Sequence, residues 1–359
     1  MAYQPPFPSL RFLQLKAHDL KRRYAAAEPN ATRKFTKHWR GALPAPEAFQ
    51  LADSYRVLAR AFRLSDWATL KRGVTLMESV RDCAKPIPTD AELDLLVPML
   101  GGHHPIGAWA NRLLEGQGQR GHQAVIRGMR HSRMRVRQAC SEYLDHTITT
   151  WDDATFSALA GAAEDESPRV RGAVLHALGC QRCKTDPLDD EAVKLFLAGA
   201  QDPSPRVRGT ALAGLGNFAD HPDTREAYMA ALTDASSKVR QTAASGLSLC
   251  GYDPNSIGAL IRLLHNETDA RVEKAALTSL TSLVKPLARD GLARIRKRYG
   301  TPHTTLRSEG RPDCWFYPAE RAAGLPDPAV VTTWLRVISL EARPGLSFHT
   351  SQLGLDARL

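Results

Sequence analysis

Two stretches of the sequence, SPRVRGAVLHALGC (167–180) and SPRVRGTALAGLGN (204–217), are close copies of each other, and their valines lie 37 residues apart. Pro168 and Pro205 are the second residue of each stretch and mark the turn at its start. The valine and the residues three to four and seven to eight positions after it lie on one face of an α-helix. The two stretches therefore predict a repeated amphipathic helix.

Three further segments share this pattern: SRMRVRQACSEYLDH (132–146), SSKVRQTAASGLSLC (236–250) and DARVEKAALTSLTS (269–282). Successive valines of the five copies are 34, 37, 32 and 33 residues apart, and a leucine follows each valine by eight residues. A second amphipathic helix is predicted ahead of each copy, at 119–129, 152–163, 189–200, 223–233 and 255–265. Repeats of this length predict stacked helix pairs.

An acidic residue recurs five positions before four of the valines, at Asp165, Asp202, Asp234 and Glu267. With the valine, the small residue three positions later and the leucine, it resembles HEAT repeats, in the form first noted in phycobilin lyases. The resemblance covers 119–282 and extends more weakly to 90–115 and 286–299. It implies an all-α fold, an α-solenoid of about five to six HEAT-like helix pairs.

The ends of the chain differ from the repeats and predict three regions: a basic helical cap at 1–88, the solenoid at 89–299 and a proline-rich tail at 300–359 that packs back on the solenoid. The cap contains FPSLRFLQLKAHDLK and LADSYRVLARAFRLSDWATLKRGV, which resemble a helical segment that precedes ankyrin or HEAT repeats in many bacterial proteins. That resemblance implies no activity. A polar cap is what the end of a solenoid requires.

Charge and composition argue against some classes of function. The net charge is +10, but residues 1–90 hold 16 Lys and Arg against 8 Asp and Glu, while residues 151–285 hold 14 against 18. An acidic middle does not suit a protein that grips a phosphate backbone along its whole length. No apolar stretch reaches the roughly 20 residues of a membrane span, and no signal peptide or dense cysteine framework is present in the sequence. We expect a cytoplasmic protein with no membrane partner.

An arginine follows the valine in four copies, at Arg137, Arg171, Arg208 and Arg240. One hypothesis is that this arginine ladder binds an anionic ligand on the concave face of the solenoid. The other follows from the HEAT resemblance, which implies that each arginine pairs with an acidic residue of a neighbouring repeat. The structural interpretation is favoured, since acidic partners are present in the sequence.

A second basic feature occupies the segment between Glu115 and Glu142, which contains no acidic residue. Its candidate binding residues are Arg127, Arg130, Arg133 and Arg135, and we call these four the arginine cluster. Such a cluster attracts phosphates or other anions, although charge runs more commonly form a solvated helix face.

Histidine and cysteine residues come together at one predicted repeat junction. His176 and Cys180 are four residues apart and share a helix face, Cys183 follows them, and His146 takes the position of Cys180 one repeat earlier. This set has the composition of a Cys2His2 zinc site. We nevertheless expect no cofactor, because buried inert thiols account for the cysteines and packed helices lie about 10 Å apart.

Two functions remain. The first is a non-enzymatic scaffold that binds a protein or peptide along the concave face, where Leu175 and Leu212 would form an apolar strip beside the arginine ladder. The alternative is nucleic-acid binding, with the HEAT-like DNA glycosylases as the fold-level parallel. No nucleophile–base pattern, P-loop or dinucleotide motif occurs, which favours the scaffold.

Overall fold

The computed structural model describes residues 7, 9–82, 87–102, 105–147, 152–180, 190–280 and 282–283. It divides into two compact units, Met1–Leu195 and Phe196–Leu359. The described residues form α-helices, connecting turns and two short 3-10 segments, which confirms the predicted all-α fold class. The predicted boundaries of cap, solenoid and tail stay a prediction, and the segments 286–299 and 300–359 lie outside the described residues.

Four helices outside the repeat pattern open the first unit: α1 (Leu10–Ala25), α2 (Pro29–His38), α3 (Leu51–Ala61) and α4 (Trp67–Arg81). Side chains cap two of their N-termini. The Ser9 hydroxyl accepts a hydrogen bond from the Phe12 N–H, and the Asp66 carboxylate accepts one from the Thr69 N–H. Both caps satisfy amides that lack a partner inside the helix, so the sequence determines where α1 and α4 begin.

The first three helices share an aromatic core. The rings of Tyr24, Phe35 and Phe49 lie with centroids 4.4 to 4.8 Å apart, and all three side chains are buried. The Tyr24 hydroxyl donates to the Pro44 carbonyl at 2.9 Å, which satisfies the one polar atom in this core. This packing holds α2 beside α1 and α3.

Helix pairs follow in the first unit: α5 (Asp90–Leu100), α6 (Ile106–Gly116), α7 (Gln119–Gly128), α8 (Met134–Thr147), α9 (Asp153–Ala162) and α10 (Pro168–Gly179). Helix α11 (Asp190–Gly199) crosses the boundary between the units. The second unit continues with α12 (Pro205–Leu215), α13 (Pro222–Ala231), α14 (Ser237–Leu247), α15 (Pro254–Asn266) and α16 (270–280). The ten helices predicted from the five copies agree with these bounds to within a few residues.

The predicted register of the repeat is confirmed by burial. The valine and the leucine of all five copies are buried. In the second unit, two glycines make room for aromatic rings: a Cβ added to Gly214 would lie 2.3 Å from the Phe196 ring, and one added to Gly246 would lie 2.2 Å from the Tyr228 ring. The Tyr228 hydroxyl donates to the Leu212 carbonyl at 2.9 Å, so each ring joins successive helices tightly.

Candidate functional site

The arginines of the ladder form hydrogen bonds within the repeats. In three arginines, Nε and Nη2 each donate to one oxygen of the acidic residue that precedes the next valine. The pairs and their two distances are Arg137–Asp165 (2.6 and 3.0 Å), Arg208–Asp234 (2.7 and 2.8 Å) and Arg240–Glu267 (2.7 and 2.8 Å). Such two-pronged bonds are strong and fix geometry as well as charge.

A second hydrogen bond ties each arginine to its own repeat. Nη1 of Arg137, Arg171, Arg208 and Arg240 donates to the carbonyl oxygen six residues earlier, at 2.7 to 2.9 Å. The hydrogen bonds from Arg240 outweigh burial and hold the pKa of Glu267 at about 2. The pairing that the structural interpretation predicts is observed for Arg137, Arg208 and Arg240, whose guanidinium groups cross-link neighbouring repeats.

The prediction that Leu175 and Leu212 form an apolar strip beside the arginine ladder is wrong. Leu175 is 2% exposed and Leu212 is 0% exposed, so neither residue lines a groove. The valine, the two residues four and five positions after it and the leucine are all buried in α10, α12 and α14. The buried arc is wider than the one-sided helix assumed from the sequence, because each of these helices packs against neighbours on more than one side.

Two of the four side chains in the arginine cluster form hydrogen bonds within the protein. Arg127 donates to Asp94 at 2.7 Å, and Arg133 donates to the Arg63 carbonyl at 2.6 Å. Arg130 and Arg135 are exposed. The four side chains therefore do not form one continuous phosphate-binding row, and Arg135 belongs to a different site.

That site is a cavity in the first unit, which we call the basic cavity. It has a volume of about 1040 Å³ and lies among α1, α2, the C-terminal end of α3, Pro105 and Arg135. Its described lining includes seven basic side chains and no acidic one: Lys16, Lys34, Lys37, His38, Arg60, Arg63 and Arg135. Phe12, 48% exposed, adds an aromatic face, with Lys16 Nζ 4.6 Å from its ring centre.

The cations of the basic cavity repel one another. The pKa values of Lys34, His38 and Arg60 are lowered. Burial is the largest cause, and the charges of neighbouring lysines and arginines are the next. Each of these groups is therefore less stable in its charged form than it would be in water. A bound anion would reverse that effect.

One of the arginines that line this cavity has an unusual backbone conformation. Arg63, just beyond the C-terminus of α3, has a φ of +65°, the left-handed conformation that glycine adopts most readily. A side chain there carries a penalty of about 1 kcal/mol. Its carbonyl accepts the hydrogen bond from Arg133, which stabilises the turn and keeps the Arg63 side chain at the cavity.

The sequence analysis missed this cavity, because its cations come from helices far apart along the chain. One signal was present: the segment 29–46 contains no acidic residue and holds Arg33, Lys34, Lys37, His38 and Arg40. The tertiary packing of α2 against α1 and α3 turns that run from a solvated face into the wall of a cavity.

The predicted metal-binding residues are only partly brought together. His176 and Cys180 lie with Asp145 so that one ligand atom from each is within 4.8 Å of the other two. The His146 side chain and Cys183 lie outside the described residues. Asp145, which the sequence analysis did not select, takes the place expected for His146.

Part of the repeat region matches a known protein family. Residues 193–281, which carry two of the arginine–acid pairs, match the family described as HEAT repeats. The chain contains HEAT repeats. Its sequence matches none of the curated proteins with which it was compared. In the described part of the chain, no helix combines the length and the apolar character that crossing a membrane requires.

Three solved structures are similar to this HEAT-repeat chain. YibA of Escherichia coli is 19% identical, with 73% of this chain and 96% of that chain covered and a TM-score of 0.45. An engineered protein is 15% identical, with 93% and 96% covered and a TM-score of 0.41. Importin beta is 15% identical, with 81% and 42% covered and a TM-score of 0.38. Similarity at this level says nothing of what the chain binds.

Proposed function

We propose that the chain is a non-enzymatic HEAT-repeat scaffold that binds an acidic segment of a partner protein in the basic cavity. The observation that supports this proposal is the lining of that cavity, with seven basic side chains and no described acidic one. The repeat arginines satisfy their charges internally. Among the described residues that line the cavity, no carboxylate lies beside the cations, so they supply the attraction.

Electrostatics favours an anionic occupant. Carboxylates placed beside Lys34 would offset the burial and the repulsion from Lys16 and Arg23 that together lower the pKa of its amine. Because the cavity is partly closed to water, these charges are screened less than isolated surface charges are. Complementary charge of this kind speeds association and selects acidic partners over basic ones.

Shape and composition favour a peptide over a nucleic acid. The cations surround a recess of about 1040 Å³ instead of following a track along the helices. The exposed Phe12 ring supplies an apolar contact, which suits a segment that mixes acidic and apolar residues. A nucleic acid would need phosphate contacts continued along the repeats, where residues 151–285 hold more acidic than basic residues.

The test is the affinity of a defined probe, a fluorescein-labelled ten-residue peptide of alternating glutamate and phenylalanine or leucine. We expect the double variant Lys34→Glu, Lys37→Glu to bind it at least about tenfold more weakly than the unchanged chain, because two attractive contacts become repulsive. Fluorescence anisotropy over a range of salt concentrations measures the effect. Raising the salt should weaken binding to the unchanged chain.

The matched control is Lys238→Glu, Lys274→Glu, which changes the net charge equally at two exposed sites in the second unit. It should bind the peptide within about twofold of the unchanged chain. Equal losses in both variants would show a non-specific charge effect and contradict the proposal. Tighter binding of a ten-nucleotide single-stranded DNA, lost in the cavity variant alone, would instead support the nucleic-acid alternative.

A further inference from the structure

A carboxylate, an imidazole and a thiol converge where α8 packs against α10 in the first unit. Asp145 extends from the last turns of α8, His176 lies in the last turn of α10, and Cys180 is the residue at which α10 ends. One ligand atom of each lies within 4.8 Å of the other two. Asp145 Oδ2 and His176 Nε2 are 3.4 Å apart.

These residues depart from the repeat at their positions. Asp145 lies nine residues after its valine, where the next three copies have Gly179, Gly216 and Ser248. His176 lies six residues after its valine. At that position the first, third and fourth copies have Glu142, Ala213 and Ser245. The packing of HEAT-type helices therefore does not itself require a carboxylate or an imidazole here. Their convergence across two helices needs another cause.

The donor set and the spacing fit one class of ligand. Imidazole nitrogen, thiolate sulfur and carboxylate oxygen are the protein ligands of Zn²⁺. Two donors each about 2.0 Å from a tetrahedral zinc ion lie about 3.3 Å apart, close to the separation of Asp145 Oδ2 and His176 Nε2. His176 lies in the last turn of α10 and Cys180 directly follows the last residue of that helix, so both side chains come from the same helix end.

We propose that Asp145, His176 and Cys180 bind a zinc ion that joins the helices α8 and α10. Asp145 is 2% exposed, whereas the His176 side chain is 65% exposed. The ion would therefore be accessible from solvent on the His176 side and would bind a buried carboxylate on the other. A divalent cation would compensate for the burial of that carboxylate. The site is independent of the basic cavity and of the function proposed for it.

The experiment titrates the chelator-treated full chain with Co²⁺, and then displaces the Co²⁺ with Zn²⁺. We expect one bound ion per chain and a near-ultraviolet thiolate-to-cobalt absorption band. His176→Ala should weaken binding at least about tenfold, since even residues that only support a ligand account for that much. Cys180→Ser should abolish the band. Zn²⁺ should raise the melting temperature of the unchanged chain more than that of His176→Ala.

Matched controls are His18→Ala, an exposed histidine of the same unit, and Cys250→Ser, a thiol of the second unit. Both should keep the affinity and the absorption band. Because His176 is exposed, its variant is expected to fold, and circular dichroism checks its helix content. Unchanged affinity in a folded His176→Ala, or Co²⁺ binding without a thiolate band in the unchanged chain, would overturn the proposal.

Discussion

Arg137→Ala is expected to lower the free energy of unfolding of the first unit by about 3–5 kcal/mol, because it leaves a buried carboxylate without its cation. Arg137 and Asp165 are almost fully buried, with side chains 8% and 9% exposed. The guanidinium also donates to the carbonyls of His131 and Ser132, so the same change removes hydrogen bonds that hold the turn before α8. Urea unfolding followed by circular dichroism measures the loss.

Arg169→Ala is the matched control, since Arg169 is exposed and lies one residue before a repeat valine instead of one residue after it. It should change the free energy of unfolding by no more than about 0.5 kcal/mol. The double variant Arg137→Ala, Asp165→Ala should be more stable than Arg137→Ala alone, because the unpaired carboxylate is gone. If the two single arginine variants were equally stable, the cross-linking role of Arg137 would be refuted.

Leu215→Asp is expected to unfold the second unit at room temperature. Leu215 is fully buried on α12, and a carboxylate there would lose its hydration with no cation to replace it. The cost is several kcal/mol, a large share of the roughly 5–15 kcal/mol that stabilise a folded domain. Ala213→Asp places the same charge on the exposed side of the same helix and should leave most of the stability intact. A melting transition equally sharp in both variants would show that the repeat register is wrong.

The register was predictable because it rests on local periodicity. Val170, Val207 and the leucines eight residues later are core residues wherever a helix presents one face to its neighbours. The pairing of Arg208 with Asp234 was also predictable, since both residues occupy fixed positions in each repeat and only the next repeat can bring them together. In these cases, a short stretch of sequence contains all the information that the contact requires.

The basic cavity and the cluster of Asp145, His176 and Cys180 were not predictable in the same way. Lys16, Arg60 and Arg135 are far apart along the chain and meet only through tertiary packing. The burial of Asp145 does not follow from the sequence, since a carboxylate at a helix end normally faces solvent. The burial of Leu212 was misjudged for a related reason, since hydrophobic periodicity does not show on how many sides a helix is covered.

The most direct test of the account is to map where an acidic peptide is bound. A carbodiimide joins a carboxylate to a lysine amine only when the two are in contact, so the alternating glutamate peptide, with both ends blocked, can be coupled to the unchanged chain. Mass spectrometry then identifies the modified lysines. We expect coupling at Lys16, Lys34 and Lys37 of the basic cavity. Coupling at the exposed lysines of the second unit, Lys238 and Lys274, to an equal or greater extent would contradict it.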